Sequence, residues 1–373
     1  MIYIHVPFCK SFCIYCGFYS ELAGRCGTAS VRSYAGALKA EADARKDEII
    51  LHRGDSCSPR TLYFGGGTPS VMPNGFIQEI IGYLDIPRLE EVTVEVNPDD
   101  IARRGPGYVR GLIGAGVNRF SIGIQSFDDG ILRWMRRRHN AAAALRAVDI
   151  LRNSGAGNIS IDLIFGLPQE DLRTWKTTLE KALEVHPEHI SAYQLSVDEG
   201  SDLYAQGPGA MAELPSDELC RQQYDLLCDM LGKAGYRHYE VSNFALPGYE
   251  SRHNSAYWDR LPYVGLGPGA HSFMILPDGR QLRFSNQPDL KSYIAARYTP
   301  EREALTPEQI RIEELMLGLR RACGIPSGKF RQITTPGAFE TLSARCDLVL
   351  SDGRIRIPED RLFISDAIIR SLV

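Results

Sequence analysis

The chain has 373 residues, 44% hydrophobic and 24% charged, the balance of an ordinary globular protein. At about 150 residues per domain, that length suggests two domains, or a large one with an appendage, and a core that needs no disulfides. A net charge of −4 argues against a nucleic-acid-coating surface, and no apolar run approaches the roughly 18 residues of a membrane span. The start, Met1-Ile2-Tyr3-Ile4-His5, lacks the basic residues and long apolar stretch of a signal peptide, so a cytoplasmic protein is expected.

Short β-rich runs alternate with helical segments, the pattern of βα units and a parallel sheet. The runs are Ile2–Val6, Arg60–Phe64, Glu91–Val96, Arg119–Ile124, Ile159–Ile164 and His189–Leu195. After the first, Ser30 can cap a helix with an apolar face of Val31, Leu38, Ala42 and Ile49. Further helices are expected over Phe76–Leu84, Gly107–Ala115, Ala141–Asn153, Leu172–Val185 and Asp217–Ala234. Periodicity alone does not separate an open doubly wound sheet from a barrel. The strand ends do. The first runs into a cysteine cluster and the second into Gly65-Gly66-Gly67-Thr68-Pro69. The third carries Glu95, the fourth ends at Gln125, and the fifth holds Asp162. Barrel enzymes keep their chemistry at the C-terminal ends of successive strands. The fold expected is therefore α/β, a partial (β/α)6 TIM-type barrel over residues 1–235.

The character changes at Gly235. Glycine, proline and aromatics crowd Tyr236–Phe284 without clear period, so residues 236–300 read as a linker or aromatic segment. Helical pattern returns at Thr306–Arg321, where Thr306-Pro307-Glu308 resembles an N-cap with proline in the first turn. Leu348–Leu350 and Ile355–Ile357 flank a turn at Ser351-Asp352-Gly353, and a last helix begins near Ser365. Residues 301–373 thus read as a small α/β module of winged-helix type.

Nine cysteines are present, and Cys9, Cys13 and Cys16 crowd into one loop with the spacing C-x3-C-x2-C. An odd count in a long chain without a signal peptide argues against a disulfide framework. Cys26, Cys57, Cys220, Cys228, Cys323 and Cys346 are scattered, and Cys220 and Cys228 read as small buried hydrophobes of a helix. Three thiolates on one loop can converge on an iron–sulfur cluster or on zinc. Structural zinc wants four protein ligands, commonly two separated pairs, and only Cys26 or His5 offers a fourth. A four-iron cluster on three cysteines leaves one iron open to a small ligand.

The triplet, with Tyr15 just before its last cysteine, resembles the radical S-adenosylmethionine superfamily, and Gly65-Gly66-Gly67 matches its glycine motif. Tyr3-Ile4-His5-Val6-Pro7-Phe8-Cys9, Phe64–Ser70, Glu95-Val96-Asn97-Pro98, Gly123–Phe127 and Asp162–Pro168 are similar to the oxygen-independent coproporphyrinogen oxidases and their sister group, the HemW haem chaperones. The resemblance implies a [4Fe-4S] cluster on Cys9, Cys13 and Cys16. It also implies an S-adenosylmethionine site at Tyr3, Tyr15, Gly66, Gly67, Thr68, Glu95, Gln125, Arg137 and Asp162. Carboxylates can accept from ribose hydroxyls and an arginine can pair with the methionine carboxylate. The plainer alternatives are solvated or core-capping carboxylates for Glu95 and Asp162. For Arg137 the alternative is one exposed helix face shared with Arg133, Arg136 and Arg138.

Two departures separate the chain from the oxidases. They carry a further cysteine where this sequence has Phe18, and an extension ahead of the residue equivalent to Tyr3. His253-Asn254-Ser255-Ala256-Tyr257-Trp258 matches the H-N-x-x-Y-W signature of the chaperones, whose histidine is implicated in haem binding. Imidazole is a haem ligand and aromatic rings suit the macrocycle, although a hydrogen-bonded structural histidine is the plainer reading. His271 is a second, more structural candidate. The resemblance implies a haem chaperone with haem as cargo and apo-haemoproteins as partners. The alternative is oxidative decarboxylation of coproporphyrinogen III to protoporphyrinogen IX. No nucleic-acid partner is expected, while peripheral membrane association and a homodimer are left open.

Overall fold

The computed structural model describes residues 1–53, 59–297 and 300–373, so Cys57 lies outside the described residues. Strands β1 (Ile2–Val6), β2 (Thr61–Gly66), β3 (Glu91–Val96), β4 (Arg119–Gln125), β5 (Ile159–Phe165) and β6 (His189–Gln194) are parallel and adjacent in sequence order. Residues of one parity, such as Ile4, Phe64, Val94, Ile122 and Ile161, are fully buried in the main core. Residues of the other parity include Tyr63, Glu95, Arg119, Ser121 and Asp162, which are joined through polar contacts inside the barrel. This strict alternation makes one face a hydrophobic seat for helices and the other a polar interior.

The helices behind the sheet start where side chains satisfy their orphan amides. Asn140, Asp171 and Ser216 accept from the backbone amides of Ala143, Thr174 and Leu219, opening helices Ala141–Asn153, Leu172–Glu184 and Asp217–Lys233. Each such cap is worth about 1 kcal/mol.

Two helices differ from the sequence expectation. The first begins at Ala23, not after Ser30, and runs to Ala44, with a separate helix over Lys46–Arg53. Phe8–Cys9 pairs in parallel with Glu21–Leu22, and that ribbon delivers the chain into the helix with no side-chain cap. The helix expected over Gly107–Ala115 starts at Pro98, capped by Asn97. Gly105, at φ 69°, kinks it ahead of Pro106 and breaks its period.

The change of composition at residue 235 does not end the sheet. Strands β7 (Arg237–Glu240) and β8 (Asn243–Ala245) add antiparallel beside β6, and β9 (Val264–Leu266) adds parallel beside β1. The sheet order is thus β9-β1-β2-β3-β4-β5-β6-β8-β7. A short helix, Arg252–Trp258, crosses between the two added edges. Three antiparallel strands follow, His271–Ile275, Gln281–Ser285 and Glu301–Ala304. The C-terminal module opens with helix Pro307–Leu319, where Thr306 and Gln309 form a reciprocal capping box. Its three-stranded sheet joins Ile325–Pro326, Arg354–Arg356 and Val349–Ser351, and helix Ser365–Arg370 closes the chain. Among the described residues, no helix is long and apolar enough to cross a membrane.

Candidate cofactor site

The loop that leaves β1 is closed at its base by the pairing of Phe8 with Glu21 and Cys9 with Leu22. It projects Cys9, Cys13 and Cys16 as free, half-buried thiols into a cavity of about 920 Å³ at the C-terminal ends of the strands. Cys9 Sγ lies 3.3 Å from Thr68 Oγ1, and Arg137 Nη1 donates to Cys13 Sγ at 3.2 Å. Burial pushes the Cys9 and Cys16 thiols up, the latter to about 11. A bound cation centre would reverse that preference and take them as thiolates. Three sulfurs on one loop, with no disulfide among them, fit a cluster better than zinc. Neither expected fourth zinc ligand is free to join them: both His5 ring nitrogens are engaged, with Tyr3 Oη and the Tyr19 carbonyl, and Cys26 belongs to the helix beyond the loop.

The end of β2 is built to lie against that loop. The Gly67 and Thr68 amides donate to the carbonyls of Val6 and Phe8, both at 2.8 Å. A Cβ on Gly67 would stand 2.8 Å from two backbone oxygens, and one on Gly66 would stand 2.6 Å from the His5 ring. Gly66 also holds φ 100°, a conformation open chiefly to glycine.

Next in order, β3 supplies Glu95, whose Oε1 accepts from Tyr63 Oη at 2.8 Å. Burial pushes its carboxyl up to about 8, beyond what the Tyr63 bond returns. On β4 the pairing with β5 slips between Gly123 and Gln125, and Gln125 takes φ 72° at the cavity wall. A bulge with a left-handed non-glycine residue is the kind of local strain found at ligand sites. Asp162 on β5 accepts from Ser121 Oγ, and burial raises it to about 6.

Arg137 does not share an exposed face with its neighbours. Its Nη2 donates to the Gly123 carbonyl, and its Nε is buried without a hydrogen-bond partner among the described residues. Arg133 and Arg136 are exposed, and Arg138 turns instead to Asp99 and Asp100. Asp100 is fully buried; burial opposes its charge, but Arg138 and Lys10 override that and hold it below the usual carboxylate range. Lys10 sits in the cysteine loop, so this ion network anchors the loop to the helix after β3. It was not visible in the sequence, because its members are far apart along the chain.

The cavity therefore gathers Cys9, Cys13, Cys16, Tyr15, Gly66, Gly67, Thr68, Glu95, Gln125, Arg137 and Asp162. Tyr3 and His253 are not among its lining residues. Tyr3 Oη meets His5 Nδ1 at 3.1 Å, and its ring packs 6.1 Å from that of Tyr63, which does line the cavity. His253 is 1% exposed. Its Nδ1 pairs with Thr61 Oγ1 at 2.7 Å and its Nε2 with Tyr257 Oη at 2.9 Å, while its amide donates to Glu91. Burial lowers it to about 3, so the ring stays neutral. His271 is exposed on its strand. Arg119, Ser121, Tyr63 and Ser191 line the cavity without having been singled out. An arginine opening a strand that otherwise alternates with Phe120, Ile122 and Ile124 was the signal available for Arg119.

The radical SAM superfamily model matches residues 3–182. The haem chaperone HemW of Lactococcus lactis is 34% identical over 88% of this chain and 83% of its own. The Escherichia coli haem chaperone HemW is 33% identical over 80% of this chain and 76% of its own. A mitochondrial radical S-adenosyl methionine domain-containing protein 1 from Danio rerio is 32% identical over 100% of this chain and 86% of its own. Among solved structures, coproporphyrinogen III oxidase from Escherichia coli aligns with a TM-score of 0.76 at 20% identity, covering 100% of this chain and 89% of that one, which establishes the shared fold. Radical SAM proteins in general carry a [4Fe-4S] cluster and S-adenosylmethionine. With its cysteine loop, glycine-bounded cavity and near full-length similarity to these relatives, the chain belongs to the HemW family of the radical SAM superfamily.

Proposed function

We propose that this protein is a haem chaperone that binds haem and passes it to apo-haemoproteins. The observation that carries the reading is the similarity to HemW proteins along most of both chains. Phe18 supports it, because at 71% exposure it stands at the cavity wall where the oxidases carry a further cysteine. In this reading Cys9, Cys13 and Cys16 hold the cluster, which when bound supplies a reducing electron. Gly66, Gly67 and Thr68 let the backbone approach S-adenosylmethionine, Arg137 meets its carboxylate, and Tyr15, Gln125, Glu95 and Asp162 wall the rest. Tyr3 acts through His5 and Tyr63, as a positioning residue. Glu95, protonated up to about 8, can donate as well as accept, whereas Asp162 is an acceptor at neutral pH. For His253 to ligate haem iron, its bond to Thr61 or to Tyr257 must open; in the closed state it seats the helix Arg252–Trp258.

The test uses anaerobically reconstituted protein in two arms. With coproporphyrinogen, reductant and S-adenosylmethionine, no protoporphyrinogen is expected. With haemin, a saturable Soret shift at one haem per chain is expected. Turnover in the first arm, or no binding in the second, would overturn the proposal.

A further inference from the structure

A second cluster of ligating side chains lies away from the cavity, where the C-terminal module meets the barrel sheet. Cys228 comes from helix Asp217–Lys233, His238 from β7, and Glu359 from the 3-10 turn Glu359–Ile364. One donor atom from each lies within 4.8 Å of the others. His238 Nδ1 is 3.9 Å from Cys228 Sγ and 3.2 Å from Glu359 Oε1. Zn–S near 2.3 Å and Zn–N or Zn–O near 2.0–2.1 Å place tetrahedral donors about 3.3–3.6 Å apart. The nitrogen–oxygen pair already stands near that spacing, and the sulfur and the exposed Glu359 carboxylate would close in to complete it.

The imidazole is already oriented as a ligand would be. Its side chain is 4% exposed, its face stacks on Phe244 at 4.2 Å, and its Nε2 faces Tyr224 Oη at 3.2 Å. Tyr224 in turn donates to the Val241 carbonyl at 2.8 Å, so its hydroxyl oxygen is left to accept from Nε2–H. Without a cation, Nδ1–H can donate to Glu359; metal binding takes the tautomer with the proton on Nε2, which Tyr224 can accept, and turns the Nδ1 lone pair to the sulfur and the carboxylate. Metal-bound histidines are held by this kind of outer hydrogen bond.

We propose that Cys228, His238 and Glu359 form a site for a borderline-soft divalent cation of the zinc type, with a fourth position open to water. The donor set of one thiolate, one imidazole and one carboxylate suits zinc and its neighbours, and disfavours magnesium or calcium. Burial, and then the Glu359 and Asp225 carboxylates, push the Cys228 thiol up to about 12, so binding releases one proton from it. Because the three ligands come from a barrel helix, a barrel edge strand and the C-terminal segment, the cation would fasten the last fifteen residues to the sheet.

The experiment takes full-length, cluster-loaded protein, dialyses it against chelator-buffered zinc, and measures zinc and iron per chain. Wild type should hold one zinc beyond its iron, and C228A and H238Q should lose it with iron unchanged. E359Q, at an exposed position, should weaken binding by about tenfold or more, at least what loss of an outer-shell partner costs. X-ray absorption at the zinc edge of wild type should report one sulfur with nitrogen and oxygen donors. Zinc retained equally in all three variants, or a shell of three sulfurs, would overturn the assignment whatever the variants do to folding.

Discussion

At the C-terminal ends of the barrel strands, buried polar groups face open space: Arg137 keeps an Nε without a hydrogen-bond partner among the described residues, burial raises the Glu95 and Asp162 carboxyls, and three thiols outside any disulfide surround about 920 Å³. At the opposite end, three buried groups are closed on their neighbours, while Arg119, which also reaches the cavity, keeps a buried Nε without a hydrogen-bond partner among the described residues. His253 has both ring nitrogens bonded, Glu91 accepts from two successive helix amides, and His189 is held between Ser160 and Tyr239. Unmet hydrogen-bonding capacity in a fold of this precision marks where a ligand completes it, and met capacity marks where the barrel is sealed. The same strands thus supply a reactive mouth and a plugged floor.

The largest way to break this comparison is at the mouth. Replacing Cys9, Cys13 and Cys16 by alanine should abolish the brown colour and the bound iron of anaerobically purified protein. A colourless wild type with stoichiometric zinc on these cysteines would contradict the cluster. The floor is tested by His253→Ala. It removes two buried side-chain hydrogen bonds and leaves a void, and should cost about 2–4 kcal/mol in denaturant unfolding. Iron content should be unchanged. Next, Gly67→Ala drives a methyl group against the Val6 and Phe8 carbonyls, and should weaken S-adenosylmethionine binding about tenfold, roughly 1.4 kcal/mol. Calorimetry on the cluster-loaded protein would measure it.

How far these sites were legible depends on the range of the interactions. Local signals worked: Thr306-Pro307 did cap a helix, and the runs at Glu91–Val96 and Ala141–Asn153 became a strand and a helix with those bounds. Ser30 carried a good capping residue but no capping role, because the ribbon at Glu21–Leu22 starts the helix earlier. The stretch from Tyr236 showed no period because its strands are too short to display one. The cysteine triplet and the glycine run were local and plain. The Lys10–Asp100–Arg138 network was not, and neither were the partners of His253, since Thr61 and Glu91 are distant in sequence.

The smallest effect expected is in pH dependence. Burial holds Glu95 at about 8 against an ordinary 4.5, so between those values the folded chain keeps a proton that the unfolded chain has lost. Stability of the cofactor-free protein should therefore fall as pH rises through that window, with Asp162 contributing in the same direction from 3.8 to about 6. Glu95→Gln should flatten the slope, a difference on the order of a few degrees in thermal midpoint between pH 5 and pH 8. A slope unchanged by the substitution would remove Glu95 from the account.

The central claim is delivery of haem, and transfer measures it most directly. Protein loaded with one haem per chain is mixed with an apo-haemoprotein, and the Soret band of the acceptor is followed against an equal amount of free haemin. The account predicts that the acceptor fills from the loaded protein, and that the donor spectrum decays in step. Haem that stays on the donor while free haemin fills the same acceptor would contradict it.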